Sequence, residues 1–111
     1  MLNTKEMANI CGFTAASEGE PRLINGIFTG DLLSWAMGRA GEDNAWCTVM
    51  GSINTIAVTS LADCACVVLC HGATLMDDAL AKAKEQGINV YLTDLPEFEA
   101  SLAIAKAIGL V

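Results

Sequence analysis

Apolar and polar positions alternate along this chain in short blocks, each closed by a glycine, an acidic turn or a proline. Asn3-Thr4-Lys5-Glu6 has the form of a helix start with Glu6 reaching back as in a capping box, and Gly12 closes that helix after about two turns. Phe13 to Ala16 reads as a short extended piece, and the polar turn Ser17-Glu18-Gly19-Glu20-Pro21 follows it. Arg22 to Thr29 reads as a strand through Leu23, Ile24, Ile27 and Phe28, with Gly26 marking a bulge or a close approach. Asp31 then serves as the N-cap of a helix to Arg39, with Leu33, Ala36, Met37 and Ala40 on one face and Leu32 and Trp35 widening it.

Beyond the turn Gly41-Glu42-Asp43-Asn44, the pattern repeats more clearly. Ala45 to Met50 is nearly continuous apolar sequence, as in a strand buried on both faces. Ile53 to Ala62 carries Ile53, Ile56, Ala57, Ser60 and Leu61 at helical spacing, and Ser52 stands at its start. Ala65 to Cys70 is the plainest strand, ended by His71-Gly72. Asp77 and Asp78 open a helix that Gly87 closes, Ile88 to Leu92 is a strand, and Leu95 to Ile108 is a helix. Asp94 caps that last helix, with Pro96 in its first turn, Glu97 three residues on and Gly109 as its stop.

Strands and helices alternating through short connections imply parallel strands joined by right-handed crossovers. The expected fold is a three-layer α/β domain with about four parallel central strands and helices on both faces. At 111 residues, positions 1–111 make one domain, long enough to bury a core without metal or disulfide staples. The hydrophobic fraction of 53%, rich in small aliphatic residues and only 5% aromatic, suits closely packed layers. It also leaves apolar surface over for a partner, and a two-fold homodimer is the simplest one. Trp35 and Trp46 are read as partly buried core.

Charge narrows the partners. Six basic residues, scattered at Lys5, Arg22, Arg39, Lys82, Lys84 and Lys106, face thirteen acids, for a net charge of −7. Nucleic acid and anionic membrane surfaces both need a basic footprint, so neither is an expected partner. The stretch beginning Met1-Leu2-Asn3 has no basic region followed by an apolar run, so no leader is expected. Five cysteines then read as reduced thiols of a cytoplasmic protein.

Candidate chemistry is sparse. No phosphate loop, Gly-x-Gly-x-x-Gly, His-Glu-x-x-His or Gly-x-Ser-x-Gly occurs in the sequence. Cys64, Cys66, Cys70 and His71 are spaced like a zinc set, yet along an extended strand Cys66 and Cys70 lie roughly 13 Å apart. A zinc ion holds each sulfur at about 2.3 Å, so packing is the expected role and no metal or cofactor is assigned. The remaining polar residues fall together at the carboxyl ends of the expected strands, where open α/β sheets place their ligands. These are Thr29, Gly30 and Asp31; Met50, Gly51, Ser52 and Asn54; His71 and Gly72; and Thr93 and Asp94. Hydroxyls, glycine backbone and helix N-termini there form a cradle for a phosphate or carboxylate. Ser52, Asp31 and Asp94 are equally ordinary helix caps, and the two aspartates repel an anion unless a cation intervenes. No catalytic pair stands out.

Gly30-Asp31-Leu32-Leu33-Ser34-Trp35-Ala36-Met37, then Asp43-Asn44-Ala45-Trp46-Cys47-Thr48, then Asn54-Thr55-Ile56-Ala57-Val58 together resemble the DRTGG domain, as does Ala62 to Leu69. The similarity runs in order through nearly the whole chain. The naming motif is reduced: aligned on Asp31, its positions fall on Pro21-Arg22 and Asn25-Gly26-Ile27, keeping only Arg22 and Gly26. Asn44 stands where the family has glycine or aspartate. The resemblance implies a fold like the amino-terminal domain of HPr kinase, pairing into dimers and a regulatory rather than catalytic role. Taken together, the expectation is a non-catalytic regulatory and dimerisation module. Its ligand-binding residues would be Thr29, Asp31, Gly51, Ser52, Asn54, His71, Gly72, Thr93 and Asp94, taking a small anion such as a nucleotide. A dimer surface is expected on the Ile53–Leu61 helix or around Trp35. The alternatives are a protein–protein adaptor without a small ligand, and a small enzyme using His71 and Asp94 as acid and base.

Overall fold

The computed structural model describes residues 2–10 and 12–111; Met1 and Cys11, the latter one of the five thiols counted above, lie outside the described residues. In chain order the elements are β1 (Leu2–Asn3), a 3-10 helix (Thr4–Asn9), β2 (Phe13–Ser17), β3 (Leu23–Ile24) and β4 (Gly26–Thr29). There follow α1 (Leu33–Arg39), β5 (Asn44–Thr48), α2 (Ile53–Leu61), β6 (Cys66–Leu69), α3 (Asp77–Gln86), β7 (Val90–Thr93) and α4 (Glu97–Ala107).

Four parallel strands, β4, β5, β6 and β7, lie side by side in chain order, and β2 pairs antiparallel with β7 at one edge. When successive parallel strands advance in one direction through right-handed crossovers, their helices fall on one face. Accordingly Ala36 of α1, Ile56 and Val58 of α2 and Ala79 and Ala83 of α3 share a core with Trp46, Val67, Leu69 and Val90. The opposite face buries Ala45, Cys47, Cys66, Val68, Cys70 and Tyr91 under Ala100 and Ile104 of α4 and Met7 of the 3-10 helix. The alternation along β6 between these cores is the period of two that a doubly covered strand requires. Three layers result, as the alternating sequence predicts.

Cys66 and Cys70 pack beside Val68 in the α4-side core, while Cys64 joins the other. Burial pushes the Cys64 thiol up to about 11 and Cys66 higher still, so both stay protonated hydrophobes at neutral pH.

Local signals were faithful where a single turn decides the matter. Asn3 and Glu6 form the reciprocal capping box, and Ser52 caps α2 through the Thr55 amide. Gly87 ends α3 at φ 67°. Elsewhere long-range partners rearrange the expected elements. The strand expected from Arg22 to Thr29 is two strands: Leu23–Ile24 pairs with β1 in a separate ribbon, and Gly26–Thr29 joins the main sheet. Asp31 does not cap α1, which begins at Leu33 after the uncapped Leu32; nor does Asp94 cap α4, whose N-cap is Pro96. For Asp31 a partner in the tertiary structure, described below, replaces the local one, whereas the Asp94 side chain stays exposed.

The outward faces also differ from the sequence reading. Met37, Leu32 and Trp35 are more than half exposed, leaving Ala36 as the buried contact of α1. Arg39 lies over the Trp35 ring, 4.4 Å from its centroid, which keeps the indole partly covered at the surface. On α2 the inward residues are Thr55, Ile56, Val58 and Thr59, while Ile53, Ala57, Ser60 and Leu61 face out. Threonine can face the core there because Thr59 Oγ1 donates to the Thr55 carbonyl at 2.8 Å.

At the amino ends of the parallel strands several polar groups are consumed by the fold. Arg22 donates to Asp43, to Asp63 and to the Cys64 carbonyl. The two aspartates both sit at positive φ, 64° and 56°, and the Asp43 amide donates to the Asp63 carbonyl. Partial burial disfavours the Arg22 charge, but hydrogen bonds and charge from both aspartates outweigh it and raise its pKa. Beside it, buried Asn89 accepts from the Gly19 amide at 2.7 Å and donates to the Glu20 and Ala65 carbonyls, each at 3.1 Å.

Candidate functional site

The carboxyl ends of β4 to β7, their following loops and the first turn of α2 hold the expected ligand residues, but the structure divides them into separate groups. Gly51 and Ser52 are occupied with packing. A β-carbon on Gly51 would lie 1.9 Å from the Thr74 carbonyl oxygen, and the Gly51 carbonyl accepts from the Met76 amide at 2.9 Å. The loop from Ala73 to Met76 therefore fills the space that a ligand phosphate was expected to use. Ser52 is spent on the α2 cap, and Asn54 projects from the exposed first turn of that helix.

A second group surrounds the start of α4. Asp31 reaches across to β5, accepting from Thr48 Oγ1 at 3.1 Å and from the Val49 amide at 3.2 Å; this is the tie that draws it away from α1. Thr29 shares a 2.8 Å hydrogen bond with Ser101 of α4. Partial burial raises the Glu97 carboxyl above its ordinary value, and hydrogen bonding with Asp31 and the Asp31 charge add to that; nearby His71 works the other way. Glu97 was read from sequence only as a capping-box partner of Asp94, a bond that does not form. His71 holds a left-handed conformation, φ 58°, uncommon for a residue with a side chain. Its amide donates to Leu95 and that of Gly72 to Thr93, so the β7–α4 loop holds both residues in place. Among the described residues no hydrogen bond joins His71 to Asp94, the pair required by the small-enzyme alternative.

The third group forms an open cleft of about 260 Å³ at the ends of β6 and β7. Gly72, Thr93 and Asp94 line it, joined by Gly12, Thr14 and Thr74. Gly12 and Gly72 sit at φ 91° and 72°, conformations that favour glycine and leave backbone uncovered. Thr93 is buried, and its Oγ1 accepts from the Leu95 amide at 3.2 Å. Asp94 is exposed at the rim, one carboxylate oxygen 3.1 Å from where a Gly72 β-carbon would stand. Gly12 and Thr14 were not foreseen as site residues. They arrive because β2 pairs with β7, Thr14 opposite Leu92, a pairing that no local pattern announces.

Among solved structures, the chain is similar to the crystal structure of the CBS and DRTGG domains of the regulatory region of Clostridium perfringens pyrophosphatase, complexed with its activator diadenosine tetraphosphate. The match has a TM-score of 0.73 at 14% identity and covers 96% of this chain and 48% of that one. This chain thus spans just under half the length of that structure, and at such identity the likeness establishes a shared fold. The fold therefore agrees with the DRTGG resemblance read from the residues. No family model matches the sequence, and neither does any curated protein.

Proposed function

We propose that this protein is a non-catalytic regulatory module that senses a nucleotide at the carboxyl ends of its strands and works as a homodimer. The observation that carries this reading is the open cleft at Gly72, Thr93 and Asp94, at the end of the sheet where α/β folds place ligands. The shared fold with a regulatory region crystallised with a dinucleotide activator supports it. Asp31, Asp94 and Glu97 make this end acidic, so the phosphates enter as their magnesium complex, a form in which metal and carboxylates attract each other.

A thermal-shift screen against nucleotides and dinucleoside polyphosphates, with and without magnesium, tests the reading. A ligand of the folded form at about 100 times its dissociation constant adds roughly 2.7 kcal/mol of stability. Silence across the panel transfers the role to the adaptor alternative. Light scattering tests the dimer. The informative substitutions are Leu61→Glu on α2 and Trp35→Glu on α1, since both residues are exposed. Ile56 and Val58, on the same α2 helix, face the core, so charge there would report on folding. Leu61→Glu and Trp35→Glu variants that both keep the wild-type mass would refute this choice of dimer surface.

A further inference from the structure

Which part of a nucleotide the cleft would accept can be argued from its chemistry, on the premise of the regulatory reading above. Among the described residues no lysine or arginine lines it, so it offers a phosphate no cationic side chain. It offers acceptors instead. The Asp94 carboxylate stands at the rim beside Gly72, and the Thr14 and Thr74 hydroxyls flank it. Thr93, 4% exposed, adds a hydroxyl whose bond among the described residues is made as an acceptor, leaving its hydrogen to donate. At about 260 Å³ the space falls below the roughly 300–1,000 Å³ that engulfs a whole drug-sized ligand, so it fits one portion of a larger molecule.

We propose that the cleft is a subsite for the sugar of a nucleoside, with the vicinal ribose hydroxyls donating to the Asp94 carboxylate and Thr93 supplying the complementary donor. The positive-φ glycines Gly12 and Gly72 line the cleft without side chains of their own, and a β-carbon on Gly72 would crowd the Asp94 carboxylate. The phosphates then project out of the cleft toward solvent, away from any requirement for basic residues. A carboxylate accepting paired hydroxyls is a charge-assisted bond, the stronger class of hydrogen bond.

The test is a backbone-amide NMR titration of the full chain with adenosine in the presence of EDTA, with ATP and magnesium, and with 2′,3′-dideoxyadenosine. Adenosine without metal is expected to shift the amides of Gly12, Thr14, Gly72 and Asp94, and dideoxyadenosine to bind at least about tenfold more weakly, a loss of about 1.4 kcal/mol. Asp94→Asn should weaken adenosine and ATP by a similar factor while its thermal midpoint stays at the wild-type value. If magnesium ATP shifts the strand-end amides but adenosine does not, or if dideoxyadenosine binds as well as adenosine, the sugar subsite is wrong and the nucleotide reading survives. If none of the three probes moves an amide at this end of the sheet, both fall together.

Discussion

At the amino ends of β5 and β6, Arg22 makes five hydrogen bonds to Asp43, Asp63 and Cys64, and Asn89 ties three backbone groups together nearby. At the carboxyl ends, Asp94 and Thr14 line an open cleft, while partial burial raises the Glu97 carboxyl and nearby Asp31 adds to the rise. The difference is one of accounting for polar groups. Buried or half-buried polar atoms must find partners, and at the amino end Arg22, Asp43, Asp63 and Asn89 find theirs within the fold, while the buried Ser17 hydroxyl opposite Val90 has none among the described residues. At the carboxyl end several acceptors are left to solvent or to a ligand. A surplus of acidic acceptors without internal partners is a more selective pointer to a binding edge than the presence of polar residues alone.

This contrast predicts unequal responses to substitution. The largest tests its weak point, the place where the carboxyl end also serves the fold. Gly51→Ala puts a methyl group against the Thr74 carbonyl, a backbone atom that cannot move aside without displacing the loop to Met76. A loss of about 3 kcal/mol in urea denaturation is expected, at the upper end of overpacking costs. A neutral result would mean that this loop is free to shift and that the strand ends are more open than described.

Next in size is Arg22→Ala, which deprives two aspartate carboxylates and the Asp63 and Cys64 carbonyls of their donor. With Arg22 and Asp43 about one-third exposed, solvent compensates part of the loss, and about 2–3 kcal/mol is expected. Arg22→Lys should recover less than half of it, because an ammonium cannot span the two aspartates as the guanidinium fork does. If Arg22→Ala costs less than about 0.5 kcal/mol, the amino end is as loosely held as a surface ion pair, and the contrast between the ends collapses.

The same contrast explains how much was legible in the residues. Features set by one or two turns of chain could be read directly: the Asn3–Glu6 capping box, the Ser52 cap, the αL glycine at Gly87 and the apolar run of β6. So could the four parallel strands, because alternation and short connections leave few topologies. Features set by distant partners could not. Arg22 meets residues 21 and 41 positions away, and the retained arginine of a reduced motif gave no hint that its role is to hold loops together. Asp31 has the local appearance of a helix cap, yet Thr48 and the Val49 amide compete successfully for it. Gly12 and Thr14 reach the cleft only through a pairing with β7 about 80 residues away along the chain. Of the nine expected ligand residues, Gly72, Thr93 and Asp94 meet in one cleft, Thr29, Asp31 and His71 gather around α4, and Gly51, Ser52 and Asn54 lie apart.

The smallest expected effect sharpens the contrast through pH. Glu97 is a carboxyl-end acid whose pKa partial burial raises, with Asp31 adding to the rise and His71 opposing it. For an acid raised on folding, the native state holds its proton more tightly than the unfolded chain, whose carboxyl keeps the ordinary 4.5. The associated stability is fully present below that value and is lost as pH climbs through the folded pKa. Glu97→Gln removes the titration and the repulsion from Asp31. The variant should therefore equal the wild type in mild acid and exceed it near pH 7, by less than about 1 kcal/mol because the group is only partly buried and solvent screens it. Urea midpoints measured from pH 4 to 8 decide it. Parallel curves would show that the two carboxylates do not feel each other, and that the acidic surplus at this end carries no internal strain for a ligand to relieve. A gap that opens with pH and closes when magnesium is added would place the repulsion where a metal-bound nucleotide can use it.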